Sequence, residues 1–319
     1  MRSIFLLLIL AAPAVTADPP RRFKATTEKD AVAWQEESRK FLTEALKLEG
    51  LPGDKSVAAV PFAEKVLSTS KLEEFTLYEL ELNASRGRRM KAVFTVPLAE
   101  DGKKKFPAVV CIHGHGGHRF IVYDPLSLYR GFATDLARRG YVTISVDVGQ
   151  HNVYEEGRTL MGERLWDLVR CVNYLVTRKE VDAERLGCAG LSLGGEMAMW
   201  LGAMDPRIKA TVSSGFLTTV ANMRMGHCPC WEFKGFSENF DFADVYGLIA
   251  PRALLCQIGR EERAPGGFPV DVAESAMVDV RKVYAAFGKK DKPVLDLHPG
   301  GHVYVNKTTI QFLDSELKP

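Results

Sequence analysis

The sequence predicts an α/β fold, with a mostly parallel central sheet flanked by helices and an N-terminal helical extension in front of it. Three observations carry this. Short apolar runs suited to strands alternate with segments of helical period over the C-terminal two thirds of the chain, the order expected of a parallel sheet covered by helices. The run Phe106–Ile112 is apolar throughout, as in a strand buried on both faces. Gly190-Leu-Ser-Leu-Gly-Gly195 places a tight, glycine-rich turn between such a strand and a helix.

In chain order, Met1-Arg2 supplies a short positive region, Ile4 to Ala12 an apolar stretch, and Val15-Thr16-Ala17 a small-residue cleavage site. Residues 1–17 therefore read as a signal peptide and the mature protein as secreted or periplasmic. The apolar stretch is too short to span a bilayer, and no second run of that length follows, so no membrane association is expected of the mature chain. Residues 18–71 read as the extension. Its helix is expected over Asp30–Leu48, with apolar residues at Val32, Trp34, Phe41, Leu42, Ala45 and Leu46, and is stopped by Gly50 and Pro52. Its expected role is to pack against the main domain.

The catalytic domain is expected over residues 72–319. Phe75–Leu82 and Met90–Val96 alternate in polarity and suit an antiparallel pair. After Phe106–Ile112 come strand Tyr141–Val148, helix Glu163–Thr177, strand Arg185–Leu191, helix Gly195–Met204 and strand Ile208–Ser213. Strand Arg252–Ile258, helix Val272–Phe287, strand Val294–His298 and a closing helix from Tyr304 complete the order.

A formal net charge of +2 gives no reason to expect nucleic acid or an anionic surface as a partner. The basic runs Arg86-Gly-Arg88-Arg89 and Lys103-Lys104-Lys105 read as solvated turns. Cys111, Cys188 and Cys256 fall in expected strands and Cys171 in a helix, where free thiols act as small hydrophobes. Cys228 and Cys230 lie in the loop His227-Cys-Pro-Cys-Trp231, and a single intervening residue is not the usual structural-zinc spacing. A disulfide to another loop, or loop packing, is expected there, and neither metal nor organic cofactor.

Ligand sites in open parallel sheets lie beyond the carboxyl ends of the strands, and the chemistry-bearing motifs fall there. Gly190-x-Ser192-x-Gly194 sets a serine on a strained strand-to-helix turn, its hydroxyl exposed near a helix N-terminus. His113-Gly114-His115-Gly116-Gly117-His118 follows a strand, and its glycines allow close approach of backbone to a substrate. Acyl transfer needs two N–H groups aimed at the oxyanion, here those of Leu193 and His115. A metal bound by the three histidines, or a phosphate cradle, is the competing reading; no carboxylate accompanies the histidines and no P-loop lysine follows. Gly259-Arg260-Glu261-Glu262 and Pro299-Gly300-Gly301-His302 each follow a strand. His302 suits a general base after a flexible turn, whereas the rival His298 falls within the strand. The orienting acid is Glu262, with Asp271 and Glu261 as alternatives.

The chain from about residue 72 resembles the α/β-hydrolase superfamily, in particular its exported dienelactone-hydrolase-like and acetyl-xylan-esterase-like serine hydrolases. The resemblance rests on Pro107-Ala-Val-Val-Cys-Ile-His-Gly-His-Gly-Gly117, Gly190-Leu-Ser-Leu-Gly-Gly195, Ile249-Ala-Pro-Arg-Ala-Leu-Leu255, His298-Pro-Gly-Gly-His302 and the His227-Cys-Pro-Cys stretch. It implies that Ser192 is the nucleophile, His302 the base, and Leu193 and His115 the oxyanion hole. It departs from the pattern in having glutamate at Glu262, where relatives carry aspartate, and in the intervening Arg263–Gly267. The implied function is hydrolysis of a carboxylic ester, an acylated carbohydrate or another small ester, through an acyl-enzyme. A prolyl-oligopeptidase-like peptidase and a catalytically silent binding protein are the alternatives. Asn152–Arg158 and Phe216–Asp241 are expected to shape the pocket. Tyr154, Met223, Trp231, Phe233 and Phe236 are available to line it, although packing suits most of them better.

Overall fold

The computed structural model describes residues 19–48, 60–98 and 105–318. The expected signal peptide, the Gly50–Pro52 stop and Lys103-Lys104 lie outside the described residues.

In chain order the elements are α1 (Glu28–Ala45), β1 (Lys65–Lys71), β2 (Phe75–Asn83), β3 (Arg89–Pro97), β4 (Phe106–Ile112), α2 (Phe132–Arg138), β5 (Val142–Val146), α3 (Leu160–Thr177), β6 (Val181–Leu191) and α4 (Leu193–Met204). There follow β7 (Ile208–Ser214), α5 (Val220–Met223), α6 (Phe242–Gly247), β8 (Ala253–Gly259), α7 (Val270–Ala286), β9 (Pro293–His298) and α8 (Asn306–Leu317). The nine strands form one sheet in the order β1-β2-β3-β5-β4-β6-β7-β8-β9. The β1–β2, β2–β3 and β3–β5 pairs are antiparallel, and all pairs from β5–β4 to β8–β9 are parallel.

Strand β4 shows why the continuous apolar run was needed. All seven of its residues are buried. Ala108, Val110 and Ile112 enter the core beneath α3 and α4, while Val109 and Cys111 enter the opposite core with α2 and α8. A period of two across a strand covered on both faces demands apolar residues at every position. Cys111, Cys171, Cys188 and Cys256 are all buried.

The extension is tied to the domain by polar side chains as well as packing. Gln35 donates to the Gly247 and Ala250 carbonyls at 3.0 and 2.8 Å, and Arg39 donates to the Ala203 carbonyl at 2.9 Å. These acceptors sit at the ends of α4 and α6, where helix carbonyls lack intrahelical partners. One strand of the sheet precedes residue 72, where the catalytic domain is expected to begin. Strand β1 pairs with β2 from Lys65↔Glu81 to Lys71↔Thr76 and forms the edge of the same sheet. All its residues are exposed, so it carries no apolar alternation by which a sequence reading finds a strand.

The chain leaves β4 to form β5 on one side and returns to form β6 on the other. That reversal opens the crevice at the carboxyl ends of β4 and β6, the strands that His113 and Ser192 directly follow.

Candidate active site

Ser192 follows β6 directly, with φ 63° and ψ −127°. A non-glycine residue in that region costs of order 1–3 kcal/mol and persists only where its surroundings hold it. Its N–H donates to the Ser214 carbonyl at 2.9 Å, and its carbonyl accepts the Glu196 N–H at 2.9 Å. The flanking glycines are steric necessities. A Cβ on Gly190 would run into the Gly194 carbonyl, and one on Gly194 into the Ile112 carbonyl. Leu193 is the first residue of α4, so its N–H has no acceptor within the helix.

The loop after β4 is fixed by its first histidine. His113 is fully buried; its Nδ1–H donates to the Gly114 carbonyl at 2.8 Å, and its Nε2 accepts the Val148 N–H at 3.1 Å. Burial pushes its pKa below the ordinary histidine value, consistent with a neutral ring using both nitrogens. Gly114 donates its N–H to the Tyr129 hydroxyl at 2.5 Å. A Cβ on Gly114 would press on Leu191, Ser192 and Tyr129, so the loop runs directly against the serine turn. The three histidines of this loop are not brought together. His113 is inside, His118 turns outward beside Phe120, and the His115 ring lies against Cys230 and His151.

Glu262 and His302 meet across the loops that follow β8 and β9. The His302 Nδ1–H donates to Glu262 Oε2 at 3.1 Å, and the Phe268 N–H donates to the same oxygen at 3.1 Å. The Glu262 side chain is 3% exposed and that of His302 33%, so the carboxylate is enclosed while the imidazole opens to the cavity. The two loops continue the β8–β9 pairing: the Arg260 N–H donates to the His298 carbonyl and the Glu261 N–H to the Gly300 carbonyl, each at 2.9 Å. The His302 ring stacks on Phe268 at 5.6 Å and lies over Gly215, where a Cβ would stand 2.7 Å from its Cε1.

The rival residues fall elsewhere. Glu261 is exposed at the cavity rim. Asp271 lies in the first turn of α7 rather than capping it, since Pro269 occupies the N-cap. His298 is buried with its Nδ1 at 3.0 Å from the Pro299 carbonyl.

Ser192, Leu193, His115, Glu262 and His302 line one cavity of about 570 Å³. Arg263–Gly267 forms part of its wall, held by the Gly266 N–H on the Met225 carbonyl at 3.0 Å. From Phe216–Asp241 the cavity takes Phe216, Met223, Gly226, His227, Cys228 and Cys230. Trp231, Phe233 and Phe236 instead pack with Trp200 or Phe242 in the core. Asn152–Arg158 does not line this cavity, and Tyr154 borders a separate one with Arg88 and Trp166.

Sequence reasoning missed four residues here. Tyr129 carries no local signal. Phe268 bears on the Glu262–His302 pair through its backbone N–H and through the ring on which His302 stacks. Glu196 is buried in the first turn of α4, where burial raises its pKa to about 8. His151 lies in the loop after β5 and meets the site only through the fold.

The family profile described as acetyl xylan esterase (AXE1) matches residues 62–225, slightly more than half of the chain. A Bacillus subtilis protein named only as a hydrolase, YtaP, is 26% identical over 260 residues, covering 72% of this chain and 84% of the relative. Among solved structures, a glucuronoyl esterase from Solibacter usitatus superposes with a TM-score of 0.70 at 18% identity, covering 95% of this chain and 98% of that one. A glucuronoyl esterase from Teredinibacter turnerae gives 0.68 at 16% identity, with 93% and 88% covered. At such identities the structural likeness carries the fold, that of the α/β-hydrolases.

Proposed function

This chain belongs to the acetyl xylan esterase (AXE1) family and is a carboxylic ester hydrolase, and we propose that it is an exported serine esterase that cleaves acylated carbohydrates or related small esters through an acyl-enzyme on Ser192. The observation that supports this most is the Glu262–His302 pair on the wall of the cavity that also holds Ser192 and Leu193.

In this reading the Ser192 oxygen attacks the ester carbonyl carbon while His302 Nε2 takes the hydroxyl proton. The carbonyl electron pair moves onto oxygen, and the resulting oxyanion is held by the N–H groups of Leu193 and His115. Collapse expels the alcohol, which receives the proton from His302, and leaves the acyl group on Ser192. Water then enters, gives its proton to His302 and attacks the acyl carbon; the acid departs and Ser192 regains its proton. Glu262 keeps Nδ1 protonated and stabilises the imidazolium that forms twice in each cycle. Export rests on the Met1–Ala17 pattern. Among the described residues no helix is long and apolar enough to cross a membrane.

The test combines a fluorophosphonate probe with a substrate panel of short-chain aryl esters, acetylated xylan, a methyl glucuronoyl ester and aminoacyl amides. Labelling confined to Ser192, with turnover of the esters and not the amides, is the expected result. Efficient amide cleavage would favour a peptidase, and a folded protein with neither labelling nor turnover would favour a binding protein. An N-terminus at Asp18 in protein recovered outside the producing cell tests the export segment.

A further inference from the structure

We propose that the mouth of the cavity carries a second site, a closed four-ligand site for a soft divalent ion of the zinc class, formed by His115, His151, Cys228 and Cys230. Their ligand atoms all lie within 4.8 Å of one another. His115 Nε2 is 3.1 Å from Cys230 Sγ, and His151 Nε2 is 3.3 Å from Cys228 Sγ. Zinc–nitrogen and zinc–sulfur bonds of about 2.0 and 2.3 Å in a tetrahedron give ligand–ligand edges of roughly 3.3–3.8 Å. The two imidazole–sulfur contacts are therefore already near their bound lengths, and the longest separation needs to close by about an ångström. The imidazoles stand side by side, centroids 5.4 Å apart and planes inclined by 27°, each with Nε2 turned to a different sulfur.

The donor set selects the ion. Two imidazoles and two thiolates are one of the structural zinc ligand sets and suit soft or borderline ions, whereas calcium and magnesium require oxygen ligands that this cluster lacks. The outer surroundings fit as well. Arg164 is fully buried, its Nη1 donates to Cys230 Sγ at 3.4 Å, and its Nη2 donates to the Gln150 carbonyl. One guanidinium thus touches a ligating sulfur and the residue before a ligating histidine, as an outer partner that orients the ligands.

The single residue between Cys228 and Cys230 is still shorter than the usual structural-zinc spacing, so the site rests on ligands that the fold gathers from separate loops rather than on a local motif. His227 in fact turns to the Gly267 carbonyl at 3.2 Å, and the fold supplies His115 and His151 in its place. An ion here would cross-link three loops, those after β4, β5 and α5. With all four positions filled by protein the site is structural. Its effect would be to fix the cavity mouth, since His115, Cys228 and Cys230 line the cavity with Ser192.

The inference does not depend on the esterase reading, because its readout is bound metal. The full chain, purified reduced and without chelators, is analysed for metal, stripped, and titrated with zinc or cobalt. One equivalent per chain, sub-micromolar affinity and the absorption of a tetrahedral, thiolate-bound cobalt ion are expected. The double variant Cys228→Ser/Cys230→Ser should lose at least 100-fold in affinity and His151→Ala at least 10-fold, while His227→Ala binds as the wild type. Should a variant misfold by circular dichroism, zinc protection of Cys228 and Cys230 from alkylation in the wild type replaces it. The proposal is overturned if reduced wild type binds neither ion, if the double variant binds undiminished, if zinc gives no protection, or if Cys228 and Cys230 are recovered as a disulfide that refuses metal.

Discussion

Glu262 offers one carboxylate oxygen to two donors at once, the Nδ1–H of His302 and the backbone N–H of Phe268, each at 3.1 Å. The second donor matters because a glutamate has one more rotatable bond than the aspartate usual at this place, and the Phe268 N–H removes that freedom. The Arg263–Gly267 detour brings Phe268 back to make the bond. Glu262→Gln keeps the size but offers an amide that can present an N–H to His302, favouring the wrong tautomer. It should lower kcat by about 10⁴-fold, the loss seen when the best-studied serine triad loses its carboxylate. Glu261→Gln and Asp271→Asn should stay within a few-fold of wild type. Near-normal turnover by Glu262→Gln would exclude Glu262 as the orienting acid.

Ser192→Ala should remove ester turnover and probe labelling together while leaving the fold intact, because alanine relieves no contact that holds the turn. His302→Ala should fall comparably, and His298→Ala much less, since the His298 ring is engaged with the Pro299 carbonyl rather than with the cavity. Steady-state rates and labelling measured side by side check both. The reverse order for the two histidines would assign the proton transfer to His298.

The parts of the candidate site that were legible in the sequence are those whose chemistry is local. The serine turn declares itself because its glycines are demanded by atoms within a few residues, and His302 because it follows a Gly-Gly turn after a strand. Glu262 was readable as the third residue past Gly259, the glycine that ends a strand. Tyr129, and the His151 and Arg164 of the proposed metal site, were not readable, because each arrives from a different loop or helix and leaves no spacing pattern behind. Strand β1 was missed for a related reason, being an exposed edge strand recognisable only by its pairing with β2.

Tyr129 yields a prediction of its own. Its hydroxyl accepts the Gly114 N–H beside the residue proposed to donate to the oxyanion. Tyr129→Phe leaves that N–H unmatched and frees the loop, at a cost typical of a lost hydrogen bond, about 1 kcal/mol or several-fold in rate. A positioning residue should lower kcat with little change in KM for the same ester. A change in KM alone would assign Tyr129 to substrate binding instead.

Gly190 tests the turn sterically. The position has no room for a methyl group because the Gly194 carbonyl occupies it, and both chain segments are pinned by the sheet and by α4. Gly190→Ala must therefore displace backbone, and a loss of several kcal/mol in unfolding free energy or failure to fold is expected. Gly87→Ala, at a site with nothing within 4 Å, serves as the control and should be near neutral. Equal stability of the two variants would mean that the turn is looser than its geometry implies.

Asp244 contributes a pH-dependent part of the stability that can be isolated by substitution. It is buried at the start of α6, where it accepts the Asp241 N–H at 2.8 Å and the Phe23 N–H at 3.1 Å and pairs with Arg22 at 2.9 Å. Burial outweighs these partners and raises its pKa from 3.8 to about 6. A carboxyl whose folded pKa exceeds its unfolded value binds its proton more tightly in the native state. Its stabilising contribution is therefore whole below about pH 4 and is lost as pH rises through about 6. A shift of that size is worth of order 3 kcal/mol at 1.36 kcal/mol per pKa unit. Asp244→Asn removes the titration, whatever constant offset it introduces by weakening the Arg22 contact. Denaturant unfolding of both proteins at several values between pH 4 and 7 should show the wild type losing stability relative to Asp244→Asn as pH rises. A difference that stays flat or moves the other way would mean that Arg22 and the two N–H donors outweigh burial, with Asp244 ionised throughout.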